Sequence, residues 1–375
     1  MMNRVDFYQG ECKELAIPAG RCEVFVEGVA LPLLEAVEII RAGWPKFGHA
    51  LLRYNPSAYE GPRPVGIAQV ERIAAIGKRV EICQLVNTGI GEARVEPVRI
   101  FAGRVEQIDA KLEAGEEVLE ITARDFSTGL NEGIIDGKRV ATGNGKSVFW
   151  LACDVVFNED GQPNASVEQV QHNGWYYTGF AEEGQEAKYW STAEVLEYLL
   201  REYVVCGRLQ VPPAEYLGAL TSAKVADELD VEDKSVLEAV QDCCEQAGLE
   251  FIFTPRQAET GPRQQIVFCL PGKGRAVELN LQYAGEKLSI SRTNVCELAS
   301  QKQSESADSE IIETIDVQTP IIATHYQVSD RITVSPDSRD VLGVRRDNRS
   351  IFWVGRVRMD FERQCTDLRI LRKRT

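Results

Sequence analysis

The sequence is poor in the residues that most metal proteins and many enzymes depend on. Its 375 residues include only three histidines, His49, His172 and His325. Ten cysteines are present, but none forms a Cys-x-x-Cys pair; Cys243 and Cys244 are adjacent and the others are scattered. Zinc and iron–sulfur sites usually show a close ligand pair, so the cysteines read as small buried apolar groups. No metal site is assigned, and no metal is expected to be needed. There is no Gly-x-Ser-x-Gly elbow and no His-Glu-x-x-His helix. Gly143-Asn144-Gly145-Lys146-Ser147 contains Gly-Lys-Ser, but Arg139-Val140 stand where a phosphate loop has its first glycine. No catalytic and no cofactor-binding residue is assigned. Basic charge is short as well: 42 Lys and Arg against 57 Asp and Glu give a net charge of -15. That excludes nucleic-acid binding by charge attraction, which needs basic faces, and docking on anionic lipid. No apolar run approaches the roughly 20 residues that span a bilayer. The opening Met1-Met2-Asn3-Arg4-Val5-Asp6 lacks the apolar stretch of a secretory signal, so folding in the cytoplasm of the producing cell is expected.

What is present is enough apolar material for ordinary cores, 44% of the residues, and a length that suits two or three domains. Up to about Arg124 the chain reads as strands. Arg21–Glu27, Val37–Arg41, His49–Tyr54 and Arg79–Leu85 are short and rich in β-formers, with turn residues between them. The clearest pair is Val98–Asp109 followed by Val118–Arg124, with a loop Lys111–Glu117 whose Gly115 suits a hairpin. Ala102-Gly103 falls where the alternation of the first arm breaks and predicts a bulge. Asn131–Tyr189 reads as an irregular insertion of short strands and loops, with the aromatic cluster Trp175-Tyr176-Tyr177. Those aromatics suit either a sugar platform or packing against a neighbour.

Two helices follow. Ser191-Thr192-Ala193-Glu194 and Ser235-Val236-Leu237-Glu238 are capping boxes, each opening an apolar stripe. Val195, Leu196, Leu199, Leu200 and Tyr203 make the first stripe; Leu237, Val240, Cys244 and Ala247 make the second, ended by Gly248. Leu249–Thr254 and Gln265–Leu270 read as a hairpin, which completes a small α+β domain. Strand character resumes over Val277–Ser291. Ala299–Glu310 is a polar run without periodicity and is expected to be a mobile loop. Arg331–Val334, Ser350–Arg358 and Thr366–Leu371 return to strands, and the basic finish Arg369, Arg372, Lys373 and Arg374 reads as a solvated tail or a contact to an acidic partner.

The two ends share a pattern. Ile100-Phe101-Ala102-Gly103-Arg104-Val105-Glu106 is followed by Leu119-Glu120-Ile121-Thr122-Ala123-Arg124-Asp125, and Phe352-Trp353-Val354-Gly355-Arg356-Val357-Arg358 by Thr366-Asp367-Leu368-Arg369-Ile370. With the helix Thr192–Tyr203 and the helix–strand unit Ser235–Phe253 between them, this order resembles the phage tail and baseplate central hub family. That family takes in the late control D proteins and the N-terminal half of type VI secretion spike proteins. The resemblance implies a mainly β chain with an α+β insertion: a tube-like β-barrel over residues 1–130, an irregular insertion over 131–190, a small α+β domain over 191–275 and a second tube-like barrel over 276–375. It implies a homotrimer with pseudo-sixfold symmetry, located in the virion tail tip or baseplate. The tail tube or distal tail protein would lie on one side and tip, spike or fibre proteins on the other. DNA would pass through the channel without specific binding, along a net acidic inner face. A carbohydrate-binding module built on Trp175, Tyr176 and Tyr177 is one alternative. A cysteine hydrolase is another, and needs an exposed thiolate beside a histidine.

Overall fold

The structure is a computed structural model. It describes residues 18–43, 47–56, 66–87, 95–113, 115–135, 138–141, 148–151, 156–158, 170–172, 175–177, 191–204, 208–221, 228–231, 233–258, 260–283, 295–305, 311–334 and 351–373. In chain order the elements begin with β1 (Pro18–Val26), β2 (Val29–Ala30), β3 (Glu35–Ala42), β4 (His49–Tyr54), α1 (Ile67–Ile73), β5 (Arg79–Asn87), β6 (Val95–Glu113) and β7 (Glu116–Arg124). There follow α2 (Ser127–Asn131), β8 (Lys138–Ala141), β9 (Val148–Leu151), β10 (Val156–Asn158), β11 (Val170–His172), β12 (Trp175–Tyr177), α3 (Thr192–Tyr203), β13 (Leu209–Gln210) and α4 (Ala214–Leu220). Next come β14 (Glu228–Asp230), α5 (Val236–Ala247), β15 (Glu250–Pro255) and β16 (Gln264–Cys269). The chain closes with β17 (Ala276–Tyr283), β18 (Val295–Glu305), β19 (Ile311–Thr319), β20 (Arg331–Val334), β21 (Ile351–Asp360) and β22 (Cys365–Lys373). Two compact units result: residues 1–126, 252–264 and 269–375 form the first, and 127–251 with 265–268 the second.

The first unit is built on one sheet of 13 strands, in the order β2-β1-β5-β6-β7-β4-β3-β21-β20-β17-β18-β19-β22, with an additional β21–β22 pairing. Alternation places its core. Ala50, Leu52 and Tyr54 of β4 are fully buried, as are Leu119, Ile121 and Ala123 of β7. Ile315 and Val317 of β19 join the same apolar cluster with Leu368 and Ile370 of β22. The mainly β character agrees with the sequence reading; two separate closed barrels do not appear. Strands from the two ends of the chain lie instead in one sheet over one core, because β3 pairs antiparallel with β21 from Glu38↔Asp360 to Ala42↔Arg356. The ladder's hydrogen bonds and the shared apolar face remove the boundary that linear order suggests.

Three local expectations are also corrected. The first hairpin is longer than predicted: Lys111↔Val118, Leu112↔Glu117 and Glu113↔Glu116 pair where a loop is expected, and the turn closes at Gly115, whose φ of 89 needs no Cβ. The irregularities of β6 fall between Val105 and Gln107 and opposite Ile82 and Cys83, on either side of Ala102-Gly103. Ala299–Glu305 is not a loop. It continues β18, with Ser300↔Asp316 through Glu305↔Ile311 paired to β19, so backbone pairing holds it without apolar alternation. A short helix missed in the sequence, α1, buries Val70. The tip of the β15–β16 hairpin belongs to the first unit, where Arg99 donates its backbone N–H to the Gln257 amide oxygen at 2.9 Å and Gln257 donates back to the Arg99 carbonyl at 2.8 Å. Glu81 pairs with both Arg99 at 2.6 Å and Arg263 at 3.4 Å to hold the same contact.

In the second unit both capping boxes form. The Glu194 N–H donates to Ser191 Oγ at 3.3 Å and the Ser191 N–H to Glu194 Oε2 at 2.9 Å. The Ser235 box repeats this at 3.2 and 2.8 Å. Val195, Leu196, Leu199 and Leu200 bury on α3, and Val236, Leu237, Val240, Cys243 and Cys244 on α5. Gly248 ends α5 in the left-handed conformation. Each box satisfies two helix N–H groups at once. Ser191→Ala and Ser235→Ala are therefore each expected to cost about 1 kcal/mol, read from thermal unfolding; an unchanged transition in both would show that the boxes do not hold these helix starts.

Candidate functional site

Polar side chains gather on both faces of β3 beside its seam with β21, and the two faces hold them differently. Ile39 faces the core, and Arg41, two residues on, faces the same way. Its guanidinium donates to the carbonyls of Thr324 at 2.8 Å, Tyr326 at 3.1 Å and Ile100 at 3.0 Å. One side chain thus ties β6 to the segment between β19 and β20. Arg275 works beside it, donating to the His325 carbonyl and pairing with Asp330 at 2.8 Å. Asp330 is 1% exposed and also accepts from the Gln327 N–H at 2.9 Å.

Burial governs the protonation of this cluster. It lowers the Arg41 pKa to about 10, with Asp330 pulling it up and Arg275 pushing it down. The Asp330 carboxyl is raised by burial although Arg275 and Arg41 oppose the shift. His325 lies with its ring centroid 4.0 Å from that of Tyr326. Burial first, then Arg275 and Arg41, lower its pKa from 6.5 to about 4.

The opposite face of the sheet is a set of ion pairs across strands. Arg358 meets Glu38 at 2.5 Å, Asp367 at 3.3 Å and Asp360 at 3.5 Å, which reinforces the seam from outside. Arg53 of β4 pairs with Glu120 at 3.2 Å and reaches Glu362, past the end of β21, at 2.5 Å. Lys111 also pairs with Glu120. Arg369 is bidentate on Asp316 at 2.8 and 3.2 Å. The basic finish is therefore not a solvated tail over Arg369–Arg372: Arg369 is ion-paired within β22, and Arg372 is 3% exposed with its guanidinium 5.3 Å from the Phe352 ring centroid. The Lys373 side chain and Arg374 lie outside the described residues.

Trp175, Tyr176 and Tyr177 form β12, paired with His172, Gln171 and Val170 of β11; their side chains, like Gly143–Ser147, lie outside the described residues. Six cysteines are described: Cys22, Cys83, Cys243, Cys244, Cys269 and Cys365. Burial pushes the Cys22 thiol up to about 12 and raises Cys83, Cys243 and Cys365 as well. These four are protonated at neutral pH, the opposite of an activated nucleophile. Among the described residues no three His, Cys, Asp or Glu side chains gather as a metal site, and no helix is long and apolar enough to cross a membrane. Arg41 was missed in the sequence, although a strand alternation that places Ile39 inward places Arg41 inward too.

No family model matches this chain, and no curated protein matches it. Solved structures do. A 43 kDa tail protein of prophage MuSo2 from Shewanella oneidensis aligns at 8% identity and a TM-score of 0.49, over 93% of this chain and 96% of its own. A tail protein from Neisseria meningitidis MC58 aligns at 10% identity and 0.49, over 94% and 96%. An E. coli component of the type VI secretion system, described as similar in structure to T4 phage tail proteins, aligns at 9% identity and 0.47, over 93% and 76%. The neighbours are phage tail proteins and a type VI secretion component.

The His325 environment sets a pH dependence. The unfolded chain takes up a proton on this histidine below about 6.5, while the folded protein resists until about 4. Stability is therefore present above 6.5 and lost as pH falls through that window, by roughly 3 kcal/mol at about 1.4 kcal/mol per pKa unit. The raised Asp330 has the opposite sign and remains in a His325→Gln variant. Urea unfolding of both proteins between pH 6.5 and 4 is expected to show the steeper loss in the native chain; parallel curves would contradict the assignment.

Proposed function

We propose that the chain is a structural hub subunit of a phage or phage-like tail tip or baseplate. It acts as a homotrimer that adapts a sixfold tail tube to a threefold tip and surrounds the DNA channel. The observation that carries this reading is a duplicated hairpin. β6 contains Phe101-Ala102-Gly103-Arg104-Val105 and β21 contains Trp353-Val354-Gly355-Arg356-Val357. In each hairpin the arginine lies opposite another, Arg104↔Arg124 and Arg356↔Arg369. The second arginine of each pair is held by a carboxylate, Glu106 at 2.7 Å or Asp316 at 2.8 Å. Each glycine sits against the second strand so closely that a Cβ would meet the Arg124 carbonyl oxygen at 2.2 Å or the Leu371 side chain at 2.8 Å.

Two copies of one hairpin build in each chain support a threefold ring with sixfold character, as closed cyclic assemblies allow. The β21–β22 pairing links β21, β20, β17, β18, β19 and β22 head to tail, which supports a tube-like second half. In this reading the divisions near residues 130, 190 and 275 separate the two β halves of the shared sheet from the insertion and the α+β domain. A tail tube or distal tail protein binds one side of the ring and tip, spike or fibre proteins the other. The role is structural, in the virion, with no catalytic step. The net charge of -15 supports free passage of DNA, since each neutralised phosphate would add affinity and salt dependence.

Class averages of the negatively stained full chain are expected to show a threefold ring with six lobes and a central opening, and a ring of any other symmetry would overturn the reading. Fluorescence anisotropy with duplex DNA at low salt is expected to show no saturable binding; tight, salt-sensitive binding would contradict a channel that lets DNA slide.

A further inference from the structure

Four of the five large apolar side chains that stand exposed among the described residues fall in two places. Leu112, 73% exposed, lies at the end of the β6–β7 hairpin. Val29 at 61%, Ile76 at 69% and Ile73 at 36% lie on the β1–β2 turn and on the segment from α1 into β5. Those two segments meet, because the Glu27 N–H donates to the Arg79 carbonyl at 2.9 Å and the Arg79 N–H to Glu27 Oε1 at 2.8 Å.

The first place is an arm. β4 stops pairing with β7 at Tyr54↔Leu119, and β5 stops pairing with β6 at Arg79↔Arg104. From Lys111↔Val118 to the turn, among the described residues, the two strands pair only with each other. A two-stranded ribbon is marginal in water unless it packs on something. The arm tip is also acidic: Glu113 lies directly opposite Glu116, beside Glu117 opposite Leu112. Like charges facing each other across a ladder are destabilising, and a basic partner would relieve them. The second place supplies the complement. Arg72 and Lys78 are exposed and flank Ile73 and Ile76 in the sequence. Both places lie toward the same end of β6, since the Gly77 N–H donates to the Val105 carbonyl at 2.8 Å and β6 runs on from there to the arm. In a cyclic ring a head-to-tail contact joins two different patches of neighbouring copies.

We propose that the arm of one copy, with Leu112 at its tip, docks on the Val29–Ile73–Ile76 patch of the next copy, with Glu113, Glu116 and Glu117 set against Arg72 and Lys78. This names one contact of the ring and rests on the trimeric reading above. Exposed apolar tips then become buried, and each copy offers one arm and one patch, as a head-to-tail ring requires.

Sedimentation of the full chain over a range of concentrations tests it. Reversing the arm, Glu116→Arg with Glu117→Arg, is expected to weaken association at least tenfold. Reversing the patch, Arg72→Glu with Lys78→Glu, is expected to do the same. Joining all four substitutions in one chain is expected to restore assembly, and circular dichroism of these surface variants to match the native protein. Leu112→Asp offers a second test of the arm without reversing its acids and is expected to weaken association too. A native trimer that persists unchanged in both reversed variants, or no recovery in the combined one, overturns the docking while leaving the trimer standing. A native chain that stays monomeric overturns the trimer itself, and the docking with it.

Discussion

An arginine on the wrong face of a strand organises the first unit. Arg41 follows the inward alternation of Ile39 and so brings a charge to the edge of an apolar core. A buried charge without partners is costly, and several kcal/mol are lost when one partner of such a group is removed. The chain answers with carbonyl oxygens from Ile100, Thr324 and Tyr326. Those three acceptors come from β6 and from the segment ahead of β20, so meeting the needs of one guanidinium fixes strands from both ends of the sequence around the β3–β21 seam. Arg275 and Asp330 complete the arrangement, and Arg358 with Glu38 repeats the tie on the opposite face.

The same economy shapes the polar face. Arg358, Arg369, Arg124 and Arg53 each have a carboxylate partner on a strand or turn of the same sheet. Exposed pairs of this kind add little stability singly. Their effect here is local: each holds its guanidinium on a carboxylate of the sheet.

Local physics made part of this legible. The capping boxes at Ser191 and Ser235 need only four residues each, and both helices form where the boxes place them. His49–Tyr54 alternates cleanly and is a strand with those bounds. The repeated Gly-Arg-Val pattern was visible because it lies in short windows. What was hidden depends on distance or on missing contrast. The union of both ends in one sheet rests on Glu38↔Asp360, partners no local pattern connects. β18 runs through Gln301, Lys302 and Gln303, where no apolar alternation marks a strand. Arg372 counts as surface charge by type and is buried against Phe352 by place. Arg41 is one of 42 basic residues until its phase relative to Ile39 is considered.

The claim that one part-buried arginine makes the two β halves a single folded unit is tested most directly by native-state hydrogen exchange of Arg41→Met, which keeps the bulk and removes the donors. The account predicts that amides of β4 and β7 and amides of β19 and β22 lose protection together and by similar free energies. Loss confined to one of these strand pairs, with the other exchanging as in the native chain, would contradict it.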